Sequence, residues 1–237
     1  MKRFIIPALL LAGTLAAGAQ TLTRMNATTV QATLDNGQML YVDFYGPHIF
    51  RLFQDPKGGI VRDPEANPPA QILVDNPRRK VEGIRIEGNA IRVGDLTVTL
   101  GKEGELLVTR DGLEVIRQKS PTGFGRNNVS MTLEQSPSDW FYGGGVQNGR
   151  FSHRGKSIEI RNTNNWVDGG VASPTPFYWS TRGYGIMWHT FAPGTYDFGK
   201  TEAGETRLSH ETTYLDLFVM VDNGAVALLN DFYQLTG

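Results

Sequence analysis

Residues 81–118 read VEGIRIEGNAIRVGDLTVTLGKEGELLVTRDGLEVIRQ, and their alternation decides the fold class. Apolar and polar side chains change places through Val81 to Glu87, Ala90 to Val93, Leu96 to Leu100, Glu105 to Thr109 and Leu113 to Gln118. A period of two sends successive side chains to opposite faces of an extended chain, so each run is a strand with one buried face. Between runs stand Gly88-Asn89 and Asp111-Gly112, residue types that accept the positive φ angles of tight hairpin turns. The stretch is a meander of antiparallel hairpins.

Moving outward, Val30 to Leu34 and Gln38 to Phe44 flank Asp35-Asn36-Gly37 and make an earlier hairpin. A Pro-rich loop, Asp55 to Pro77 with prolines at 56, 64, 68, 69 and 77, reads as a surface crossover, because Pro fixes φ and donates no hydrogen bond. Further strands are expected at Val129 to Leu133, Ser157 to Arg161, Phe177 to Thr181, Gly185 to Thr190 and Thr213 to Val221. So many short strands imply two packed sheets, an all-β sandwich spanning 20–222. A single helix is expected at Ala225 to Leu235, with Asn223 as N-cap, Gly237 as C-cap, and Val226, Leu229, Phe232 and Tyr233 on its apolar side. Residues 223–237 thus read as a helix leading toward a following domain.

The chain has 237 residues, 40% hydrophobic and 20% charged, enough for a sizeable core. Its formal net charge of -1, with scattered Lys and Arg, offers no positive field to gather nucleic acid. Lys2 and Arg3, the apolar stretch Phe4 to Ala16 and Ala17-Gly18-Ala19 read as a secretory signal over 1–19, cleaved before Gln20. The apolar stretch is shorter than the roughly 18 residues a membrane span needs. The expected location is therefore periplasmic or extracellular, without a membrane anchor after cleavage. The absence of cysteine excludes disulfides, zinc-thiolate sites and thiol nucleophiles.

The second half carries the candidate chemistry. Trp140-Phe141-Tyr142, Trp166, Phe177-Tyr178-Trp179, Tyr184, Trp188, Phe191, Tyr196 and Phe198 supply rings against which sugar C–H faces pack, although strand aromatics equally serve as core. The glycines from Gly143 to Gly149 precede no helix, so they mark a tight turn or bulge rather than a phosphate loop. His48, His153, His189 and His210 lack metal-ligand spacing, and neither metal nor cofactor is expected. Cleaving a glycosidic bond requires two carboxyl groups flanking it. Asp139, Glu159, Asp168 and Asp197 are the carboxylates available in this half, and Asp168 stands out within the polar loop Asn162 to Gly170.

Six pieces in order carry a family resemblance: Phe141 to Gly149, Phe151-Ser152-His153-Arg154-Gly155, the Asn162 to Asp168 loop, Pro176-Phe177-Tyr178-Trp179-Ser180, Gly183-Tyr184-Gly185-Ile186 and Tyr196-Asp197-Phe198-Gly199. Together they resemble the N-terminal domain of glycoside hydrolase family 31. The resemblance implies a galactose-mutarotase-like β-sandwich with a short C-terminal helix, leaning on a catalytic (β/α)8 barrel normally in the same chain. It implies that the barrel holds both catalytic aspartates of a retaining mechanism on α-linked glucose, xylose or galactose. No catalytic residue, and no independent turnover, is then expected of these 237 residues. It further implies that the loop Asn162 to Gly170 reaches an α-linked oligosaccharide or glycoside, with Asp168 as the first contact and Asn164, Asn165 and Trp166 next. Val167 stands where many relatives place Arg. Two other readings stay open: a stand-alone carbohydrate-binding sandwich using Trp166, and an aldose mutarotase using His153, His189 and Glu159.

Overall fold

The computed structural model of the chain describes residues 21–62 and 72–237. The expected signal segment and prolines 64, 68 and 69 lie outside these residues. The chain begins with β1 (Thr21–Arg24), β2 (Thr29–Thr33), β3 (Met39–Phe44) and β4 (Ile49–Gln54). The meander follows as β5 (Arg85–Glu87), β6 (Ala90–Val93), β7 (Leu96–Leu100), β8 (Leu106–Arg110) and β9 (Leu113–Arg117). Next come β10 (Gly123–Phe124), β11 (Val129–Glu134), β12 (Phe141–Gln147), β13 (Ser157–Ile160) and β14 (Val171–Ser180). The last elements are β15 (Tyr184–Trp188), β16 (Gly194–Phe198), β17 (Glu205–His210), β18 (Leu215–Val221) and the helix α1 (Gly224–Thr236).

One eight-stranded sheet runs β1-β2-β3-β4-β18-β15-β14-β12. Two five-stranded sheets, β5-β6-β7-β8-β9 and β10-β11-β17-β16-β13, are joined where Gln118 bridges Leu133 and the Lys119 N–H donates to the Thr132 carbonyl (2.8 Å). One buried cluster draws on all three: Val30, Val42 and Leu217 from the first, Ile91, Val98 and Val108 from the meander, Met131, Tyr196 and Leu208 from the third. The fold is thus the expected two-layer β-sandwich, with one layer divided in two. Every strand pairing is antiparallel, as hairpin connections dictate.

The meander forms as its sequence predicts. Arg110 faces Leu113 across a two-residue turn in which Asp111 and Gly112 both have positive φ (49° and 76°), the turn whose twist matches the strands it joins. Three strands escape the alternation rule. In β4 every residue is buried, so Ile-Phe-Arg-Leu-Phe-Gln shows no period of two. In β18 all seven residues are buried as well, although Leu215, Leu217, Val219 and Val221 had implied one buried face. The glycine run of β12 makes a bulged strand, with register shifts between Gly143 and Gly145 and between Val146 and Gln147. Two of its glycines with positive φ lie against backbone: a Cβ on Gly145 would stand 2.1 Å from the Ser173 carbonyl oxygen.

The helix lies on the outer face of the eight-stranded sheet, packing Leu228 and Leu235 with Tyr45, Phe177, Met187, Phe218 and Met220, while Phe232 stacks on Phe177 at 4.2 Å. Of its expected apolar side, Leu229 and Phe232 do pack on the cluster, but the buried arc is turned. Leu228, Asp231 and Leu235 are the buried positions, and Val226 and Tyr233 face solvent. A carboxylate at the centre of the buried arc hid the stripe. Asn223 occupies the N-cap position without a side-chain capping bond, whereas the Gly237 N–H donates to the Tyr233 carbonyl as a C-cap should. Among the described residues no helix is long and apolar enough to cross a membrane.

A charged network is sealed at the β4–β18 seam. The Arg51 guanidinium, wholly buried, forks onto Asp216 (Nε–Oδ1 2.6 Å, Nη2–Oδ2 2.9 Å) and lies over Phe53 and Phe218. His189 Nδ1 sits 3.0 Å from Asp216 Oδ2. Burial would raise the Asp216 pKa, but the Arg51 charge and the His189 bond outweigh it and hold the carboxyl below its usual range.

Candidate functional site

The loop Asn162 to Gly170 leaves the third sheet at its edge strand β13 and returns as β14 of the first, bridging the two layers. It is braced by hydrogen bonds at its base. The Asn165 N–H donates to Val171 O (3.0 Å), the Asn148 N–H to Gly170 O (3.0 Å), the Gly169 N–H to Asn148 O (3.0 Å), and the Asn148 side-chain amide to Asn165 O (2.9 Å). Asn148 therefore acts as the loop's clamp.

Of the four residues expected to touch a ligand, two serve the loop itself. Asn164, at φ 48°, accepts the Trp166 indole N–H (3.0 Å) and so fixes the ring's direction. The Asn165 side chain accepts the Val167 N–H (3.2 Å) and lies against Gly170. The other two are free to act. Trp166 is 69% exposed. Asp168 is exposed and its carboxylate makes no hydrogen bond or ion pair among the described residues. It lies against Gly149, whose φ of +68° favours glycine and where a Cβ would displace the Asp168 carboxylate.

The remaining carboxylates divide cleanly. Asp139 is buried and accepts the Ser136 N–H (2.7 Å). Asp197 accepts the N–H groups of Gly199 (3.1 Å), Lys200 (2.8 Å) and Thr201 (3.2 Å) and the Thr201 hydroxyl (2.6 Å). Partial burial raises its pKa, but these donors prevail and hold it below the usual carboxylate range. Both acids secure turns, and only Glu159 stays exposed beside Asp168 in the roster. Glu159 projects from β13 while its neighbours Ile158 and Ile160 enter the core.

Glu159 faces a groove of about 410 Å³ beside the loop, lined by Arg150, Ser157, Glu159, Thr163, Asn165 and Lys200 among others. The side-chain amide of Gln147 donates to Gly144 O (2.9 Å) and Glu159 O (3.1 Å), tying β12 to β13. Sequence spacing could not reveal this groove, because Arg150, Glu159 and Lys200 come from three separate segments.

His153, His189 and His210 are buried. His153 Nε2 donates to the Gly143 carbonyl (2.8 Å), and burial lowers its pKa. His210 donates from Nδ1 to Ala192 O (2.9 Å), holds the Tyr196 hydroxyl at Nε2 (2.9 Å), and is pushed by burial down to about 4. His48 lies between Asp95 (3.2 Å) and Asp222 (3.4 Å). With His153 bound to backbone and His189 to Asp216, neither histidine of the mutarotase sketch hydrogen-bonds Glu159. No group of three His, Asp or Glu residues able to hold a metal occurs among the described residues.

Residues 39–197, two thirds of the chain, match the family model described as the glycosyl hydrolase 31 N-terminal galactose mutarotase-like domain. The chain belongs to that family. Solved structures share the fold of this glycosyl hydrolase 31 N-terminal domain. The Flavobacterium johnsoniae GH31 dextranase FjDex31A, complexed with glucose, superposes with TM-score 0.80 at 14% identity over 93% of this chain and 28% of its own. A GH31 alpha-xylosidase from a soil metagenome, complexed with xylose, gives 0.73 at 16% identity, covering 92% and 34%. A xylosidase from Aspergillus niger gives 0.61 at 19%, covering 84% and 31%. The glycosyl hydrolase 31 domain thus spans about a third of the length of these structures. No curated protein matches it in sequence.

Proposed function

We propose that the domain works as the N-terminal sandwich of a retaining α-glycosidase, supporting a catalytic (β/α)8 barrel and lending it a substrate-contacting loop. The observation that carries this reading is the loop Asn162 to Gly170: a clamped turn in a GH31 N-terminal domain that presents Trp166 and Asp168, with no partner for the carboxylate among the described residues. A ring and an uncommitted carboxylate on a rigid support are what an α-linked glycoside needs for stacking and hydroxyl recognition. Asp168 and Trp166 are the contacts, with Asn164 and Asn165 holding them in place. Bond cleavage needs two opposed carboxyl groups; Asp139 and Asp197 are spent on backbone N–H groups, and this reading assigns the cleaving pair to the barrel. The same reading places the protein outside the cytoplasm, on the strength of the Lys2 to Ala19 segment.

The test is turnover of aryl α-glucosides, α-xylosides and α-galactosides by the full-length product of the reading frame. In that protein Asp168→Ala should raise KM with a smaller effect on kcat, the signature of lost substrate binding. The 237-residue chain alone should release no sugar. If it hydrolyses an α-glycoside by itself and Asp168→Asn abolishes the reaction, the proposal is wrong.

A further inference from the structure

The groove beside the loop carries charges of both signs. Arg150, Glu159 and Lys200 all line it, yet Glu159 forms no ion pair with either cation. The Arg150 guanidinium reaches only the Ser157 carbonyl (3.3 Å), and the Glu159 and Lys200 side chains make no hydrogen bond among the described residues. Oppositely charged neighbours do pair at Arg51–Asp216, Arg110–Asp95 and Lys119–Glu205. Opposite charges kept apart across about 410 Å³ leave donors and acceptors both unsatisfied by protein.

That pattern suits a neutral polyhydroxyl ligand. A free anion would meet Glu159, a free cation would meet Arg150 and Lys200, and an apolar molecule would strand all three. A hydroxyl both donates and accepts, so neighbouring hydroxyls can give a proton to a carboxylate while taking one from a guanidinium or ammonium. The volume lies in the range of small-molecule sites. We infer that this groove is a saccharide subsite, holding a neutral sugar unit through Glu159 as acceptor and Arg150 and Lys200 as donors, with Ser157, Thr195 and Asn165 at its walls. The site belongs to the domain itself and does not depend on the glycosidase reading.

The test is titration of the 15N-labelled chain with maltotriose and isomaltotriose, followed by amide shifts, up to concentrations of about 20 mM. Saturable shifts should appear at Ser157, Glu159, Thr195 and Lys200. Glu159→Gln and Lys200→Ala, both at exposed positions and checked by unchanged thermal midpoints, should each weaken binding about tenfold, the loss of one charge-assisted hydrogen bond. Asp168→Ala should leave this binding in place. The inference is overturned if no saturable shift occurs, if the shifts lie at Trp166 and vanish with Asp168→Ala, if Glu159→Gln binds as the parent does, or if glucuronate binds more tightly than the neutral sugars. None of these outcomes bears on turnover by the full-length enzyme, so failure here and failure of the proposed function are separable.

Discussion

Asp231 shows how much one side chain can set against a helix. It sits on the buried side of α1 with Oδ2 unpartnered, and its Oδ1 receives only a long bond from Gln234 (3.4 Å). Burial pushes its carboxyl up to about 6 and Asp222 adds to the push, against opposing pulls from His48 and Arg110. A folded-state pKa above the unfolded value means that the native chain binds the proton more tightly. The stabilisation is complete below about pH 4 and is lost as pH rises through about 6. Asp231→Asn should therefore raise stability at pH 7.5 by about 1–2 kcal/mol, allowing for partial screening at the helix–sheet seam. The gain should fade on acidification to pH 4. Thermal melts of both proteins across this range check the prediction, and a constant difference at all pH values would contradict it. The same residue explains why sequence misplaced the helix face: a carboxylate between Leu228 and Leu235 breaks the apolar stripe that a periodicity search seeks.

Among the elements, β12 is the least tolerant. Its bulge brings Gly145 against the Ser173 carbonyl, at φ +76°, so any side chain meets backbone that cannot yield. Gly145→Ala should cost at least about 3 kcal/mol and lower the thermal midpoint accordingly, whereas Gly112→Ala, in open space though also at positive φ, should cost about 1 kcal/mol. A calorimetric comparison separates collision from backbone strain alone. Sequence legibility follows the same physical line. The meander β5 to β9 was readable because each strand has one wet face and each turn its own chemistry. Strand β4 was not, because it is buried on both faces and carries Arg51 inward. The loop Asn162 to Gly170 was legible from its polar, glycine-rich composition and its likeness to a family, whereas the bracing bonds of Asn164 and Asn165 to Trp166 and Val167 have no sequence signal. The groove had no local signal at all: Arg150, Glu159 and Lys200 meet only once β13 and β16 pair.

At the scale of the molecule, the seam between β4 and β18 closes the largest sheet by joining residues 165 positions apart. Arg51 is its fastener. Arg51→Met keeps the contact with Phe53 and Phe218 but leaves Asp216 buried with His189 as its remaining partner. Such an uncompensated charge should cost about 3–5 kcal/mol. The denaturation midpoint should fall with little change in the slope, and a shift below about 1 kcal/mol would show that the pair contributes little.

The placement of β18 between β4 and β15 also governs how the protein is made. A ribosome releases β4 (Ile49–Gln54) long before β18 (Leu215–Val221), so the edge of β4 that β18 will cover waits unpaired while the intervening residues are made. At roughly 5–20 residues per second that interval lasts many seconds, during which the chain must be shielded from its neighbours until the missing strand slides in.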